Sequence, residues 1–314
     1  MRNSATSHGK VASLAWAWLP PLLLLASGCQ PSAGRVSGVW GNRGQQPGSF
    51  IRPRAIVINP RAQNEITVVD FTGRIQVFDE RGGYLRGWST PSIVNGRPSG
   101  MGLGKDGNIL VPDSHYSRVL VYSPDGGLVL EICGKEGQGP GPFAYVSDVV
   151  QDEEGYFYIV EFGESDRIRK YSADGRYLTH WGTHGSEAGQ LARPRGACLG
   201  PDGLLYVADS CNHRIQVFDR DGKFVRAFGS EGIDPGQLRY PYDVAIGPGG
   251  DVFVVEFGNH RVQRFSPLGE PRGVWGGPGR EPGFFNSPWG LAIDSRGRVH
   301  VADTENHRIQ RLDF

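Results

Sequence analysis

The sequence lacks any bias in charge, has few cysteines, and shows no helical periodicity in its repeating part. Basic and acidic residues number 33 each, so the formal net charge is zero. A neutral chain gives no electrostatic reason to expect nucleic acid or an anionic surface as a partner. The 47 glycines and 22 prolines are typical of many short strands joined by tight turns. Hydrophobic residues make up 38% of the chain, which suffices for a folded core.

The N-terminus has the pattern of a targeting segment. Arg2 and Lys10 form a basic region before an apolar run over residues 11–26, which is shorter than a membrane-spanning helix requires. Small residues then lead directly to Cys29, and this resembles a bacterial lipoprotein signal cut before that cysteine. We expect a signal peptide over residues 1–28, a lipid on Cys29 and a short linker over residues 29–36. The alternative is a plain secretory signal with a cysteine there by chance.

The sequence has four cysteines, and the other three predict neither a disulfide nor a nucleophile. Cys133 stands where other repeats have Trp181, Phe228 or Trp275, so we expect it in the core. Cys198 falls in a predicted inner strand and Cys211 in a loop, where the two would not face each other.

Six short β-branched strands each end at a carboxylate, and these recur at intervals of 43, 48, 48, 47 and 47 residues. A period in the forties indicates a propeller or a helical array. The fourth unit reads as four strands over residues 195–228 joined by Asp-Gly turns. We therefore predict an all-β, six-bladed propeller with four-stranded blades over residues 37–314.

The two chain ends predict how the ring closes. Residues 37–50 nearly repeat residues 272–285, whereas the last unit stops one strand short of such a segment. We expect residues 37–41 to supply the outermost strand of the last blade, which removes an exposed sheet edge.

The repeats resemble those of the NHL family. The segments that begin at Asp209, Gly258 and Asp303 carry the Asn-His-Arg core of that repeat, and Gly-Gln-Leu occurs at residues 189–191 and 236–238. The resemblance extends over residues 37–314, although the first three blades depart from the Asn-His-Arg core. It implies a propeller that acts as a sensor or interaction domain, and says little about a ligand.

One position after the repeat proline is expected to line the axis of the ring. Two guanidiniums, two aromatic rings and two hydroxyls there would suit a sugar, a peptide end or an anion. The alternative is that the arginines pair with nearby carboxylates and the tryptophan plugs the channel. These candidate ligand-binding residues are Arg54, Ser99, Ser147, Arg195, Tyr242 and Trp289.

The carboxylate at the end of each β-branched strand is called here the anchor carboxylate. Each anchor carboxylate is followed by an arginine four to six residues later. An acid and a base that bracket the same loop in every blade predict a structural ion pair rather than an acid–base catalyst. The pairs are Asp70 with Arg74, Asp113 with Arg118, Glu161 with Arg167, Asp209 with Arg214, Glu256 with Arg261, and Asp303 with Arg308.

Metal sites find little support in the sequence. His213, His260 and His307 come from equivalent loops of three blades, so they should lie apart, whereas zinc draws its ligands to one point. NHL-like amidating lyases place zinc-binding histidines after the repeat proline, and none of the six axial positions is His. The remaining option is an axial calcium bound by Asp148 and Asp243. We expect no cofactor, and we assign a catalytic role to none of these residues.

These observations predict a lipid-anchored recognition module outside the bacterial cytoplasm. Gln30 after the lipid-bearing cysteine resembles outer-membrane sorting in a two-membrane bacterium. We expect a monomer that binds an envelope protein, a peptide or a glycan on the axial face, and no nucleic acid. The alternatives are an exported metal-dependent lyase or lactonase with an axial calcium, and a purely structural envelope protein.

Overall fold

A computed structural model describes residues 34–94, 97–133, 141–163 and 165–314. The predicted signal peptide, the lipid site Cys29, most of the linker and the glycine-rich segment 134–140 lie outside the described residues. Among the residues that are described, no helix has the length and apolarity needed to cross a bilayer.

The chain forms six antiparallel four-stranded sheets, which confirms the predicted propeller. Blade 1 contains β2 (Pro53–Asn59), β3 (Glu65–Asp70), β4 (Arg74–Phe78) and β5 (Tyr84–Ser89). Blade 2 contains β6 (Gly102–Leu103), β7 (Ile109–Asp113), β8 (Arg118–Tyr122) and β9 (Leu128–Cys133). Blade 3 contains β10 (Tyr145–Gln151), β11 (Phe157–Phe162), β12 (Arg167–Tyr171) and β13 (Tyr177–Trp181).

The second half of the ring repeats this plan. Blade 4 contains β14 (Pro194–Leu199), β15 (Leu205–Asp209), β16 (Arg214–Phe218) and β17 (Phe224–Phe228). Blade 5 contains β18 (Pro241–Ile246), β19 (Val252–Glu256), β20 (Arg261–Phe265) and β21 (Pro271–Gly276). Blade 6 contains β22 (Leu291–Ile293), β23 (Val299–Asp303), β24 (Arg308–Asp313) and the N-terminal strand β1 (Arg35–Trp40). Single 3-10 turns lie at Pro60–Ala62, Ser114–Tyr116, Ser210–Asn212 and Thr304–Asn306.

The N-terminal strand closes the ring as the sequence predicted. β1 pairs antiparallel with β24, from Arg35 opposite Asp313 to Trp40 opposite Ile309, with a bulge at Ser37. The strand therefore begins two residues before the predicted start. The guanidinium of Arg311 donates to the carbonyl oxygen of Ser37 at 2.8 Å and reinforces the seam.

Each blade packs its apolar faces against the next blade. Between blades 3 and 4, for example, Tyr158, Val160 and Ile168 meet Leu191 and Val207, all fully buried. Leu191 belongs to the Gly-Gln-Leu segment, so this part of the repeat packs between two blades. The inter-blade core holds the inner strands at a common axis.

Four of the inner strands carry a bulge where they reach the axis. The pairing with the second strand shifts between Pro53 and Ala55, and equivalent shifts occur at Ser147, Arg195 and Tyr242. A bulge bends a strand and redirects the extra side chain. The residues after the repeat proline thus leave the alternation of the sheet.

Candidate axial binding site

The six residues predicted at the axis lie around one cavity in the middle of the ring. Here they are called the axial mouth: Arg54, Ser99, Ser147, Arg195, Tyr242 and Trp289. The volume of this cavity is only about 20 Å³. That volume holds about one or two water molecules. A ligand larger than water must therefore bind above the cavity, on the surface of the mouth.

The two serines of the mouth serve the connection between blades. The hydroxyl of Ser99 contacts the Ser114 hydroxyl at 2.9 Å and the carbonyl oxygens of Val146 and Ser147 at 3.2 Å. The hydroxyl of Ser147 reaches the carbonyl oxygens of Pro194 at 3.0 Å and Arg195 at 3.1 Å. These hydroxyls are already used by the backbone of the neighbouring blade.

The two arginines of the mouth do not pair with carboxylates, contrary to one of the sequence-based alternatives. No ion pair within the described ranges includes Arg54, Arg195 or the nearby Arg97. Their Nε atoms are buried without a hydrogen-bond partner, and Arg195 is only 7% exposed. Arg54 donates one bond, from Nη1 to the carbonyl oxygen of Pro98 at 3.1 Å. We call Arg54, Arg97 and Arg195 the arginine cluster.

Aromatic rings hold the arginine cluster in place. Phe71 lies beneath the guanidiniums of Arg54 and Arg97 at 4.7 and 4.2 Å. Trp289 contacts those of Arg54 and Arg195 at 4.6 and 5.8 Å. Phe162 also contacts Arg195, at 4.6 Å. The faces of aromatic rings attract cations without neutralising them.

Sequence reasoning missed these phenylalanines, although a readable signal exists. Phe71, Phe162 and Phe257 directly follow the anchor carboxylates of blades 1, 3 and 5, whereas the other three blades have Ser114, Ser210 and Thr304 there. Comparison of that position across the six blades shows an alternation of large rings and hydroxyls. The rings face the axis, and the hydroxyls of Ser114 and Thr304 bind the backbone of the next blade.

The aromatic side of the mouth is a packed cluster of three rings. Tyr242 stacks on Phe257 with centroids 4.5 Å apart and meets Trp289 edge-on at 5.1 Å. The guanidinium of Arg195 lies over Tyr242 at 5.0 Å. The rings therefore contact one another and the arginines.

Burial and like charge lower the pKa of the arginines. The pKa of Arg54 falls to about 10, mainly because the side chain is buried, and also because Arg195, Arg97 and Arg52 lie nearby. Burial likewise lowers the pKa of Arg195. Both remain cationic at neutral pH, so the mouth holds concentrated positive charge.

Two carboxylates form the floor of the cavity, one residue deeper than the mouth. Asp148 is 5% exposed and its Oδ2 accepts from the amide of Ala197 at 2.8 Å. Asp243 accepts from the amides of Val244 at 2.8 Å and Leu291 at 3.0 Å. Burial raises the pKa of Asp243 to about 7, and burial together with the charge of Asp243 raises that of Asp148.

The six predicted carboxylate–arginine pairs are all present as ion pairs. The shortest contacts are 2.6 Å for Asp70 with Arg74, 2.9 Å for Asp113 with Arg118, 2.8 Å for Asp209 with Arg214, 2.5 Å for Glu256 with Arg261 and 2.7 Å for Asp303 with Arg308. Glu161 contacts Arg167 and, at 2.6 Å, a second and fully buried arginine, Arg169, which the sequence reading did not include. All six carboxylates are 0% exposed.

Family comparisons agree with this architecture. The NHL repeat matches residues 191–218, 238–265 and 285–312, and a family described as a six-bladed β-propeller matches residues 103–182. The protein is a six-bladed propeller that contains NHL repeats. The NHL matches coincide with blades 4 to 6, where the Asn-His-Arg core is present.

Several solved structures share the fold of this NHL propeller. A protein of unknown function from Bacteroides thetaiotaomicron superposes with a TM-score of 0.71 at 14% identity, over 90% of this chain and 76% of the other. A gluconolactonase from Xanthomonas campestris gives 0.63 at 14% identity, over 84% and 86%. Virginiamycin B lyase from Staphylococcus aureus gives 0.56 at 14% identity, over 84% and 95%. Identities this low establish a common fold alone.

The histidines of the NHL core connect neighbouring blades. His213 Nδ1 accepts from the amide of Tyr240 at 3.1 Å, His260 from Ser287 at 2.8 Å and His307 from Arg52 at 3.0 Å. Each donor residue has a positive φ between 48° and 54°. The three imidazoles thus lie at three separate blade junctions.

The two floor carboxylates are a poor match for calcium. Calcium takes about six to eight oxygen ligands, whereas these two carboxylates already accept backbone amides and have one buried oxygen without a partner, Oδ1 of Asp148. In the part of the chain that the structure describes, no group of three or more His, Cys, Asp or Glu side chains could hold a metal ion.

The cysteines lie apart in the fold. Cys198 is in β14 and Cys211 in the 3-10 turn after β15, and neither forms a disulfide with another cysteine in the described part of the chain. Cys133 is only partly buried at the end of β9, and its Sγ lies 3.0 Å from Oε1 of Glu131.

Proposed function

We propose that this propeller is a membrane-anchored binding or scaffold module whose axial mouth engages a protein, a peptide or a glycan. The observation that carries the proposal is the arginine cluster, in which Arg54, Arg97 and Arg195 converge on the mouth without a carboxylate partner in the described residues.

The size of the axial cavity favours surface recognition over enclosed catalysis. Small-molecule sites are usually clefts of about 300–1,000 Å³ that bury most of their ligand. The axial cavity has a volume of only about 20 Å³. A partner would lie across the mouth and place a projecting group against the arginines and the edge of the aromatic cluster.

A capture experiment tests the proposal. The purified protein is immobilised and incubated with envelope extract, and the retained components are compared between wild type, Arg195→Ala, Trp289→Ala and Arg296→Ala. Arg296 serves as the matched control, since its side chain is 60% exposed and lies in the turn between β22 and β23, at the other end of the inner strand from Trp289. We expect capture to be lost in both mouth variants and kept in the control. Retention of the same partner by both mouth variants would remove the axial mouth as the binding surface.

The lipid anchor remains a sequence-based prediction with its own test. Radiolabelled palmitate should enter the full-length protein and be absent from Cys29→Ala. Failure of the wild type to incorporate label would point to the plain secretory alternative.

A second candidate function is an exported lyase or lactonase with an axial calcium. It draws on the buried pair Asp148 and Asp243, and on a fold shared with a gluconolactonase and a virginiamycin B lyase. Metal analysis of the purified protein separates the two candidates. Stoichiometric calcium that is lost together with activity in Asp243→Ala would favour the enzyme.

A further inference from the structure

The arginine cluster differs from the six arginines that follow the anchor carboxylates in having no counter-ion among the described residues. The six arginines that follow the anchor carboxylates each contact a fully buried carboxylate. Arg195 is as deeply buried as any of them, at 7% exposure, yet its Nε has no partner. A buried charge without a partner is costly and marks a site that a ligand of opposite charge would complete.

The three guanidiniums come from separate parts of the ring. Arg54 belongs to blade 1, Arg97 to the connection before blade 2, and Arg195 to blade 4. Trp289 lies between Arg54 and Arg195 and contacts both. Arg54 uses Nη1 for the carbonyl oxygen of Pro98, and Arg195 is hydrogen-bonded to Tyr242. A guanidinium has five N–H donors, so others remain for a planar oxyanion.

The groups of the mouth that can reach a ligand are mainly donors, since Arg54, Arg97, Arg195 and the indole of Trp289 can only donate. The hydroxyls of Ser99 and Ser147 donate to backbone carbonyls, and that of Tyr242 is hydrogen-bonded to Arg195. The remaining acceptors, the carboxylates of Asp148 and Asp243, lie below the mouth in the floor of the cavity. A neutral sugar needs acceptors for its own hydroxyl protons, whereas a carboxylate only accepts.

The ring faces at the mouth are also in use. Tyr242 is stacked on Phe257 and covered by Arg195, and Trp289 is in contact with two guanidiniums and two rings. A pyranose would require a free aromatic face. Because the cavity below admits only water, the ligand must present its charged group at a projecting tip, as the end of a peptide chain does.

We infer that the arginine cluster binds the C-terminal carboxylate of a peptide or protein partner. The inference rests on the proposed function, because it names the ligand group that the axial mouth recognises. The carboxylate would lie between Arg54 and Arg195, with Arg97 at its side and Trp289 beneath.

The test uses two pools of mixed-sequence peptides that lack Asp and Glu, one with free C-terminal carboxylates and one with C-terminal amides. Binding to the purified protein is followed by calorimetry and by tryptophan fluorescence, which Trp289 should report. We expect the acid pool to bind at least about tenfold more tightly than the amide pool, since a charge-assisted bidentate contact is lost in the amide. In Arg195→Gln the difference between the pools should disappear, while Arg296→Gln should keep it.

Further arms separate the sources of an oxyanion. Inorganic phosphate and glucuronate are titrated alone and as competitors, and both should bind more weakly than the peptide acids. Glucuronate that binds more tightly than the peptides, and depends on Arg195, would overturn the peptide assignment in favour of an acidic sugar. Equal affinity for acids and amides would overturn the carboxylate inference and leave the axial mouth as a binding surface.

Failure of the inference can be distinguished from failure of the proposed function. If neither pool binds the wild type but envelope capture still depends on Trp289, the carboxylate inference falls and the proposed function stands. If capture is also unaffected, both fall. Circular dichroism verifies the fold of each variant. Arg97→Gln changes a less buried member of the cluster, and it should weaken binding of the acid pool, as Arg195→Gln does.

Discussion

Replacement of an anchor carboxylate should destabilise the ring by an amount set by its hydrogen bonds. Asp209 is fully buried, and its Oδ2 accepts from Asn212 Nδ2 at 2.8 Å, Arg214 Nε at 2.8 Å and Gln216 Nε2 at 3.0 Å. Its Oδ1 accepts from the amide of Ala192 at 2.7 Å. The Asp209→Ala variant leaves a cation and three other donors without this acceptor.

The magnitude follows from the loss of a buried charge partner. Removal of one member of a buried ion pair costs about 3–5 kcal/mol, and we expect roughly 4 kcal/mol for Asp209→Ala. A midpoint shift of about 2–4 °C per kcal/mol, the range typical of proteins of 150–250 residues, gives a fall of roughly 8–16 °C.

Asp113 provides the matched control, since it is equally buried in the same position of blade 2. It accepts one side-chain bond, from Arg118 at 2.9 Å, and its Oδ1 has no partner. Burial raises the pKa of Asp113 despite the contact with Arg118. We therefore expect Asp113→Ala to cost only about 1–2 kcal/mol, because Arg118 keeps an ion pair with Glu131 at 3.5 Å and no other side chain loses a partner.

Both variants are measured by urea and thermal unfolding at pH 7. The double variant Asp209→Ala/Arg214→Met should recover part of the loss, since it removes the stranded cation. Equal losses for Asp209→Ala and Asp113→Ala would refute the reasoning that the hydrogen-bond network, rather than burial alone, determines the cost.

Three further predictions concern the floor of the cavity, the blade junctions and the seam. The pKa of Asp148 is raised well above its unfolded value, so the folded state binds more protons and the free energy of unfolding should fall as pH rises above about 4; Asp148→Asn should flatten this fall in urea titrations, and an unchanged slope would contradict it. His260→Ala should cost about 1 kcal/mol, because an amide of blade 6 loses its 2.8 Å acceptor; stability equal to wild type would show that water replaces the ring. Gly41→Ala should destabilise the seam far more than Gly48→Ala, since both have positive φ but only the Cβ at Gly41 would lie 2.4 Å from the ring of Phe50; similar midpoints in the two variants would mean that the seam can adjust.

Much of the fold could be predicted because its signals are local and repeated. The turn glycines, the alternating strands and the carboxylate at the end of each second strand are properties of short segments, and six copies make them readable. The seam was readable for the same reason, since residues 37–50 repeat the end of the fifth unit. Differences between the repeats were also informative. The position after the repeat proline is Arg54, Arg195 or Trp289 in different blades, and all three residues line the axial cavity.

The character of the axial site was less accessible from sequence. That Phe71 underlies both Arg54 and Arg97, and that the mouth serines bind the backbone of the next blade, depends on contacts between different blades. The width of the channel depends on how six sheets pack and on where their inner strands bulge.

The sequence by itself therefore determined the number of blades, the closing strand and which residues reach the axis, because strand period and turn chemistry operate over a few residues. Only the tertiary structure decided that Arg54, Arg97 and Arg195 have no counter-ion in the part of the chain that is described, that the axial cavity admits little more than water and that Asp148 and Asp243 share its floor. Those properties arise where side chains about 45 or more residues apart meet at one axis, and their distances are set by the packing of the whole ring.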